Sequence, residues 1–359
     1  AVADDGLAIA GQPIRLSLLA VNRGASDVAV TGVTVTGFDG PPACKAEEVK
    51  KDASYACAVD ARVPQDARLT TPYFHDNYWK HPENQAINIF DPDVPFGVPF
   101  AASPFRATFH LKAGSVEVTR EMPIQFRYVK DVFHGDKRME VNVVPAFSVR
   151  VKPPLAVIPS AAGAKPVERE IHVTVTNGTK GAAQANVTLE LPAGWKAIPA
   201  SVPIGFAHED ESLSARFQVS APARVKTGEY TLRAVVTSPG RGEKFDNGYQ
   251  EIEYPHIQRR HVIKPAQATL RVVDVKITSN IDVGYIAGVG DQVPEAIQQL
   301  DAKLAFIGPD EMAWGRLRAS RRSSRLQPPP AGLCGTRRNR HRAVQQDGIQ
   351  PGRIWPLPG

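Results

Sequence analysis

Short runs of alternating apolar and polar residues, separated by turn-forming residues, most constrain how this chain folds. Ile14, Leu16 and Leu18 alternate with polar neighbours, and the run at Ile171, Val173 and Val175 does the same. Side chains two residues apart point to the same face of a strand, so each run predicts a strand with one buried face. The 31 Pro and 28 Gly of the chain keep these runs short. The pattern therefore indicates a mainly β fold.

Residues 1–152 are predicted to form one antiparallel β-sandwich-like domain with a long irregular insert at 70–104. Within it, Phe105–Leu111 and Ile124–Tyr128 are expected to pair with each other. Cys44 and Cys57 predict either a disulfide in an exported protein or two free, half-buried thiols. The predicted strands are Gln12–Ala20, Val28–Val35, Tyr55–Val63, Phe105–Leu111, Ile124–Tyr128 and Val141–Val151.

Residues 153–276 show the spacing of an immunoglobulin-like β-sandwich, and Pro153-Pro154 is expected to mark their start. The predicted strands here are Glu170–Thr176, Ala185–Leu191, Leu213–Val219, Gly228–Val236 and Ala268–Val275. Two consecutive immunoglobulin-like antiparallel β-sandwich domains are therefore predicted.

Residues 277–315 resemble the start of an α/β (Rossmann-like) unit. A strand at Asp282–Ala287, a glycine turn, a helix at Val293–Leu300 and a strand at Lys303–Ile307 give the order expected for parallel strands. One such unit cannot bury both faces of its strands, so the unit is expected to be truncated.

The last 44 residues, 316–359, differ in composition from everything before them. They contain ten Arg, one acidic residue and no Lys, whereas the preceding 315 residues hold 33 basic and 36 acidic residues. The net charge of +6 thus comes from this tail and does not support a nucleic-acid-binding body. We expect a disordered tail translated out of frame.

Several segments resemble the C-terminal half of large bacterial PIG-L (LmbE-like) deacetylases. The resemblance is carried by Tyr-Pro-His-Ile at 254–257 and by Gly-Tyr-Ile-Ala-Gly-Val-Gly-Asp-Gln-Val-Pro-Glu-Ala at 284–296. Phe-Arg-Tyr at 126–128 and Val-Val-Pro-Ala at 143–146 add to it. Codons for 344–358, read one base later, can also encode a segment similar to one found downstream in such proteins. Coincidence through codon degeneracy is the alternative.

The stretch 155–240, with Leu-Pro-Ala-Gly-Trp at 191–195, resembles the α-galactosidase-associated sandwich module found in those deacetylases. The family resemblance implies an N-terminal catalytic domain with zinc bound by a His-Pro-Asp-Asp motif and a later His, where the metal activates water against an acetamide. Asp4-Asp5 lacks a preceding His-Pro. We therefore predict no catalytic residue, no metal ligand and no cofactor in this chain, and expect zinc in a catalytic domain outside it.

Two regions contain candidate binding residues. Tyr73, His75, Tyr78 and Trp79 lie in the insert, where aromatic rings can stack on a sugar; an insert that packs its own aromatics is the alternative. The basic run His256–His261 suggests a nucleic-acid patch or, in our preferred interpretation, a solvated linker.

Three functions fit this sequence: an accessory region that positions a deacetylase catalytic domain or binds glycan, a free-standing carbohydrate-binding or cell-surface adhesion module, and a complete enzyme with an unrecognised site. The first is favoured. It implies carbohydrate and the chain's own N-terminal catalytic domain as partners, no nucleic acid, no membrane span, and a periplasmic or extracellular location in a bacterium.

Overall fold

Strands account for nearly all regular structure in this computed structural model. It describes residues 1–40, 44–72, 99–129, 135–160, 167–239, 242–275, 282–288, 293–300 and 302–308. Within those ranges there are 25 strands and one helix, which confirms the prediction of a mainly β chain. The predicted tail at 316–359 lies outside the described residues.

The first twelve strands are β1 (Val2–Ala3), β2 (Leu7–Ala8), β3 (Pro13–Val21), β4 (Val28–Thr36), β5 (Glu47–Val49), β6 (Ser54–Arg62), β7 (Arg106–Ala113), β8 (Val116–Pro123), β9 (Gln125–Val129), β10 (Asp136–Glu140), β11 (Asn142–Val143) and β12 (Phe147–Lys152). The remaining elements are β13 (Leu155–Pro159), β14 (Glu168–Asn177), β15 (Ala183–Glu190), β16 (Lys196–Ile198), β17 (Ser201–Phe206), β18 (Ser212–Ser220), β19 (Gly228–Thr237), β20 (Lys244–Phe245), β21 (Asn247–Ile252), β22 (Arg260–Pro265), β23 (Gln267–Val273), β24 (Asp282–Tyr285), α1 (Val293–Gln299) and β25 (Lys303–Phe306).

The first sandwich packs a five-stranded sheet, in the order β10-β9-β1-β3-β6, against a four-stranded sheet in the order β5-β4-β7-β8. Ile14, Leu16 and Leu18 on β3 are buried, as their alternation predicts, and they share one core with Val33 on β4 and Phe109 on β7. Burial of each such side chain contributes about 2 kcal/mol. The sandwich is thus held together mainly by its period-two apolar faces.

A disulfide joins Cys44 to Cys57 on β6, which decides between the two states that the sequence left open. The two Cα atoms are 6.0 Å apart. Both cysteines pack against the core of the first sandwich. The bond therefore fixes the segment before β5 to a central part of the domain.

The pairing expected between Phe105–Leu111 and Ile124–Tyr128 is wrong. β7 pairs with β8 through the turn at Gly114, and β9 lies in the other sheet beside β1 and β10. The side chains of β8 are exposed on six consecutive positions. Val116 and Val118 alternate with Glu117 and Thr119, but both valines are exposed and Arg120 breaks the pattern, so the sequence of β8 does not indicate a buried face.

The second sandwich packs a four-stranded sheet, β12-β14-β18-β16, against a sheet in the order β13-β23-β19-β15-β17, with β20 added at β19. Ile171, Val173 and Val175 on β14 are fully buried, and they share a core with Phe217 and Leu270 on the two sheets. The predicted two-sandwich architecture is confirmed. Its antiparallel character has exceptions, since β13–β23, β1–β9 and β2–β11 pair in parallel.

The predicted strand Val141–Val151 divides into two. β11 pairs with β2 near the start of the chain, whereas β12 pairs with β14 in the second sandwich. Pro153-Pro154 then carries the chain from the sheet of β12 to that of β13. The chain bends at both prolines, and a Pro-Pro step suits this crossing because proline has no N–H with which to continue the ladder.

The predicted strand–helix–strand order of 277–315 is present. β24 and β25 pair in parallel, with α1 between them. The helix is fastened to the free edge of β13, where the Gln299 amide donates to the Leu155 carbonyl (3.2 Å) and accepts from the Val157 N–H (2.6 Å). Ala1–Phe306 form one compact unit, and only Ile307 and Gly308 of the second unit, Ile307–Gly359, are described. The predicted domain boundaries at 152, 276 and 315 stay predictions.

Candidate functional site

The glycan-binding residues predicted from the sequence, Tyr73, His75, Tyr78 and Trp79, lie outside the described residues. The structure does describe both ends of that insert. Pro72 and Phe100 form an antiparallel bridge, so the chain leaves and re-enters the first sandwich at one place. That place borders a contact between the two sandwiches that is made by charged side chains.

The contact is made by a hairpin of β21 and β22 that lies on β12 of the second sandwich. The Tyr249 N–H donates to the Ser148 hydroxyl oxygen (3.2 Å). A Cβ atom at Gly248 would lie 2.3 Å from the Val149 carbonyl oxygen, which is closer than any side chain can approach. Glycine is therefore required here, because it lets the two backbones meet.

Arg259, in the loop of this hairpin, reaches the first sandwich. Its guanidinium carbon lies 4.1 Å from the ring centre of Tyr128 on β9. Its Nη2 donates to Glu253 Oε2 (2.9 Å), and the other oxygen of Glu253 is 3.8 Å from Lys137 Nζ on β10. The Glu253 side chain is only 7% exposed. Charge pairs with this little exposure are screened weakly by salt, so they restrain the relative position of the two sandwiches.

Arg260 makes a second link. Its Nη1 donates to Glu140 Oε2 at 3.0 Å, and its guanidinium carbon lies 5.2 Å from the ring centre of Phe100. Glu140 ends β10 and Phe100 lies near the end of the insert, so this one arginine joins the hairpin to the first sandwich and to the root of the insert. Both charged side chains are about one-quarter exposed.

His261 lies on β22, and its side chain is buried near Arg259 and Glu251. Its side chain is 1% exposed, its Nε2 is 3.8 Å from Glu251 Oε2, and it packs edge-on against the Tyr249 ring with centres 5.3 Å apart. Burial, and secondarily the charge of Arg259, lower the pKa of His261 from 6.5 to about 4. The imidazole is therefore neutral at neutral pH.

These contacts correct the interpretation of the basic run as a solvated linker. The guanidinium groups of Arg259 and Arg260 are ion-paired, and the His261 side chain is buried. Only the loop tip fits the expectation, because Tyr254 and His256 are exposed with ring centres 6.0 Å apart. Paired arginines offer little net positive charge to a phosphate backbone, which also disfavours the nucleic-acid interpretation.

Two cavities flank the hairpin. The smaller, of about 140 Å³, lies between the sandwiches and is bordered by Arg259, His261 and the acidic residues Asp5, Glu209 and Asp210. Burial is the main cause that raises the pKa values of Asp5 and Glu209, and neighbouring carboxylates add to it. The larger cavity, of about 560 Å³, lies at the root of the insert and is bordered by Arg260 and Glu140.

A third cleft, of about 710 Å³, lies between α1 and the outer face of β14. It holds a His172–Glu170 pair with Nε2 and Oε1 2.6 Å apart. The Ser214 hydroxyl in the same cleft hydrogen-bonds to Thr174 Oγ1 (2.9 Å) rather than to His172. A nucleophile needs a base within hydrogen-bond reach, so this cleft does not form a Ser–His–acid arrangement.

Within the described part of the chain, no group of three or more His, Cys, Asp or Glu side chains is placed to hold a metal ion. The same residues include no helix with the length and apolar character needed to cross a membrane.

Comparison with known proteins identifies one domain. Residues 161–238, about a fifth of the chain, match the family model described as the NPCBM-associated, NEW3 domain of alpha-galactosidase. The match lies within the second sandwich and confirms the α-galactosidase-associated module expected at 155–240. No curated protein matches the sequence.

Solved structures give distant similarities. A FixG-related protein from Vibrio parahaemolyticus is 16% identical, with a TM-score of 0.21, over 33% of this chain and 94% of that chain. Red sea bream transglutaminase is 12% identical, with a TM-score of 0.30, over 76% of this chain and 30% of that chain. Salmonella alpha-2-macroglobulin reacted with methylamine is 9% identical, with a TM-score of 0.25, over 76% of this chain and 16% of that chain. These values carry no information about function.

Proposed function

We propose that this chain is an accessory, non-catalytic β-sandwich region of a carbohydrate-active enzyme. The observation that carries the proposal is the NEW3-domain match at 161–238, since that domain is named for its association with alpha-galactosidase. The described residues offer hydrophobic cores and ion-paired contacts, and the His172–Glu170 pair in the cleft beside α1 has no hydrogen bond to the Ser214 hydroxyl.

Positioning of a catalytic domain is the role that the hairpin contact supports. Arg259 packs on Tyr128 and pairs with Glu253, while Arg260 pairs with Glu140, so two links from one hairpin join the sandwiches. Two sandwiches joined in this way form a stiffer spacer than two domains on a flexible linker. A stiff spacer holds a neighbouring domain at a fixed distance and angle from bound substrate.

The proposed parent enzyme is a PIG-L/LmbE-like zinc-dependent deacetylase that acts on N-acetylglucosaminyl-type substrates. Support comes from the sequence resemblance at 254–257 and 284–296. In that enzyme, a catalytic domain outside this chain holds zinc, which activates water for attack on the acetamide.

An oxidising compartment fits the same proposal. The disulfide between Cys44 and Cys57 is typical of periplasmic or extracellular proteins. A periplasmic or extracellular bacterial location is therefore proposed.

A free-standing carbohydrate-binding or adhesion module is the alternative, and the 560 Å³ cavity favours it. The two functions differ in what the gene encodes before Ala1. Sequencing the genomic DNA upstream should reveal an in-frame domain with His-Pro-Asp-Asp if the deacetylase proposal holds. A secretory signal directly upstream would refute that parentage and favour the free-standing module. The downstream DNA tests the frameshift, which predicts one base lost or gained near codon 315.

A further inference from the structure

The cavity of about 560 Å³ at the root of the insert has the size of a small-molecule site, which in proteins runs from about 300 to 1,000 Å³. One part of its lining is apolar, and this part includes Leu69, Ala102 and Pro104. Ala102 and Pro104 are exposed and Leu69 is half-buried, so this wall is open to a ligand. It is a surface suited to the C–H face of a small ring rather than to a strongly hydrated ion.

The walls of the cavity are held in place by hydrogen bonds from main-chain N–H groups to carbonyl and hydroxyl oxygens. The Thr70 N–H donates to the Val143 carbonyl, and the Val143 N–H donates to Thr70 Oγ1, both at 2.9 Å. The Ser103 hydroxyl accepts from the Phe105 N–H at 3.3 Å. A cavity with fixed walls binds a ligand at a lower entropic cost than a loop that must first order.

Polar recognition comes from the Arg260–Glu140 pair. Phe100 lies under the guanidinium and Glu140 beside it, so the arginine is oriented before any ligand arrives. A guanidinium has five N–H donors and a carboxylate can accept several hydrogen bonds, so the pair retains capacity at both groups. A donor and an acceptor 3.0 Å apart match two neighbouring hydroxyls of a sugar ring, one accepting and one donating.

The charges of the described residues that line the cavity balance. Asp66 and Glu140 are acidic, whereas Arg68 and Arg260 are basic. A balanced lining gives no net attraction to an anion or a cation, so it favours a neutral ligand. Asn142 adds a neutral acceptor: its Nδ2 donates to the Glu140 carbonyl (2.8 Å), which fixes the amide orientation, and its buried Oδ1 has no hydrogen-bond partner among the described residues.

We propose that this cavity binds a neutral carbohydrate of one or two rings. The apolar ring face lies against Leu69, Ala102 and Pro104, and neighbouring hydroxyls bond to Arg260 and Glu140. This inference rests on the proposed carbohydrate-related function and names a site for it that is formed by residues other than the predicted Tyr73, His75, Tyr78 and Trp79.

Ala102→Trp is the variant that tests the site, because it fills the cavity from an exposed position without removing a core side chain. Ala182→Trp is the matched control, since Ala182 is exposed at the start of β15 and does not border this cavity. The full chain and both variants are titrated with N-acetylglucosamine, galactose and glucuronate by isothermal calorimetry, and circular dichroism checks their folding.

The expected result is that at least one neutral sugar binds the original chain and Ala182→Trp alike. Ala102→Trp should bind it at least about tenfold more weakly. Arg260→Lys, which keeps the charge but loses the planar array of donors, should also weaken binding.

Three results would overturn the site. The first is that the original chain binds neither neutral sugar. The second is that it binds glucuronate more tightly than both neutral sugars. The third is neutral-sugar binding that Ala102→Trp leaves unchanged, which would place the carbohydrate elsewhere and leave the proposed function standing. An upstream gene without a deacetylase domain would refute the proposed parentage without affecting these titrations.

Discussion

Acidification should destabilise this chain through His261. In the folded chain, burial first and Arg259 second lower the pKa of His261 to about 4, whereas an unfolded histidine titrates near 6.5. As the pH falls below about 6.5, the unfolded state takes up a proton that the folded state refuses. The loss of stability grows until the pH reaches about 4, below which both states are protonated.

The size of the loss follows from the two pKa values. At about 1.4 kcal/mol per pH unit, the difference between 6.5 and about 4 corresponds to about 3 kcal/mol. That is a large part of the stability of about 5–15 kcal/mol that is typical of a protein. The His261 side chain is 1% exposed, so water screens its interactions only weakly.

Because acidic groups near His261 also respond to pH, the contribution of His261 is isolated by comparing the original chain with a variant that lacks the imidazole. Burial raises the pKa values of Asp5 and Glu209 in the adjoining cavity, so their folded forms bind protons more readily than their unfolded forms. Their effect has the opposite sign, since it favours the folded state as the pH falls. His261→Gln removes only the imidazole titration and keeps a polar side chain of similar length.

Urea unfolding of the original chain and of His261→Gln at a series of pH values measures the effect. The free energy of unfolding of the original chain should fall by about 3 kcal/mol more than that of the variant between about pH 7 and pH 4. Equal losses in the two proteins would refute the reasoning, because they would show that His261 is not held neutral by its surroundings.

Three further changes test the contacts described above. Gly248→Ala places a methyl group against the Val149 carbonyl and should lower the free energy of unfolding by about 1–3 kcal/mol in urea titrations. Reduction of the Cys44–Cys57 disulfide should cost roughly 3 kcal/mol by the loop-closure relation for a loop of about 15 residues, measured with and without reductant. Glu253→Gln should cost at least about 1 kcal/mol, and less than the 3–5 kcal/mol of a fully buried pair.

Matched controls accompany these changes. Gly205→Ala is the control for Gly248→Ala, because a Cβ at Gly205 meets no atom within 4 Å. Cys44→Ser with Cys57→Ser should abolish the response to reductant. Glu121→Gln removes the carboxylate from an exposed pair with Arg106 and should change stability far less than Glu253→Gln. Equal effects of Glu253→Gln and its control would contradict the importance given to the hairpin contact.

The parts of the fold that were predictable are those with one buried face. β3, β14 and β18 each bury alternate side chains, and their sequence patterns show it. β8 was missed because its apolar alternation is limited to Val116 and Val118, both of which are exposed. The pairing of β9 with β1 in parallel depends on long-range contacts, and local patterns carry no information about which strands meet.

The candidate site was harder to predict than the fold. The run at Arg259–His261 was visible, but its partners Tyr128 and Glu140 lie more than a hundred positions away. A local signal did exist, because Glu251 and Glu253 lie before the loop tip and the basic residues Arg259 and Arg260 lie after it. Opposite charges on the two sides of a hairpin indicate cross-strand pairing rather than a solvated linker.

Acetate release from N-acetylglucosamine derivatives, measured with the purified chain in the presence and absence of added Zn²⁺, tests most directly whether this region is accessory. We predict no turnover in either condition and no stoichiometric zinc after dialysis. Zinc-dependent turnover that a chelator abolishes would contradict this account, because it would show that the chain contains a catalytic site of its own.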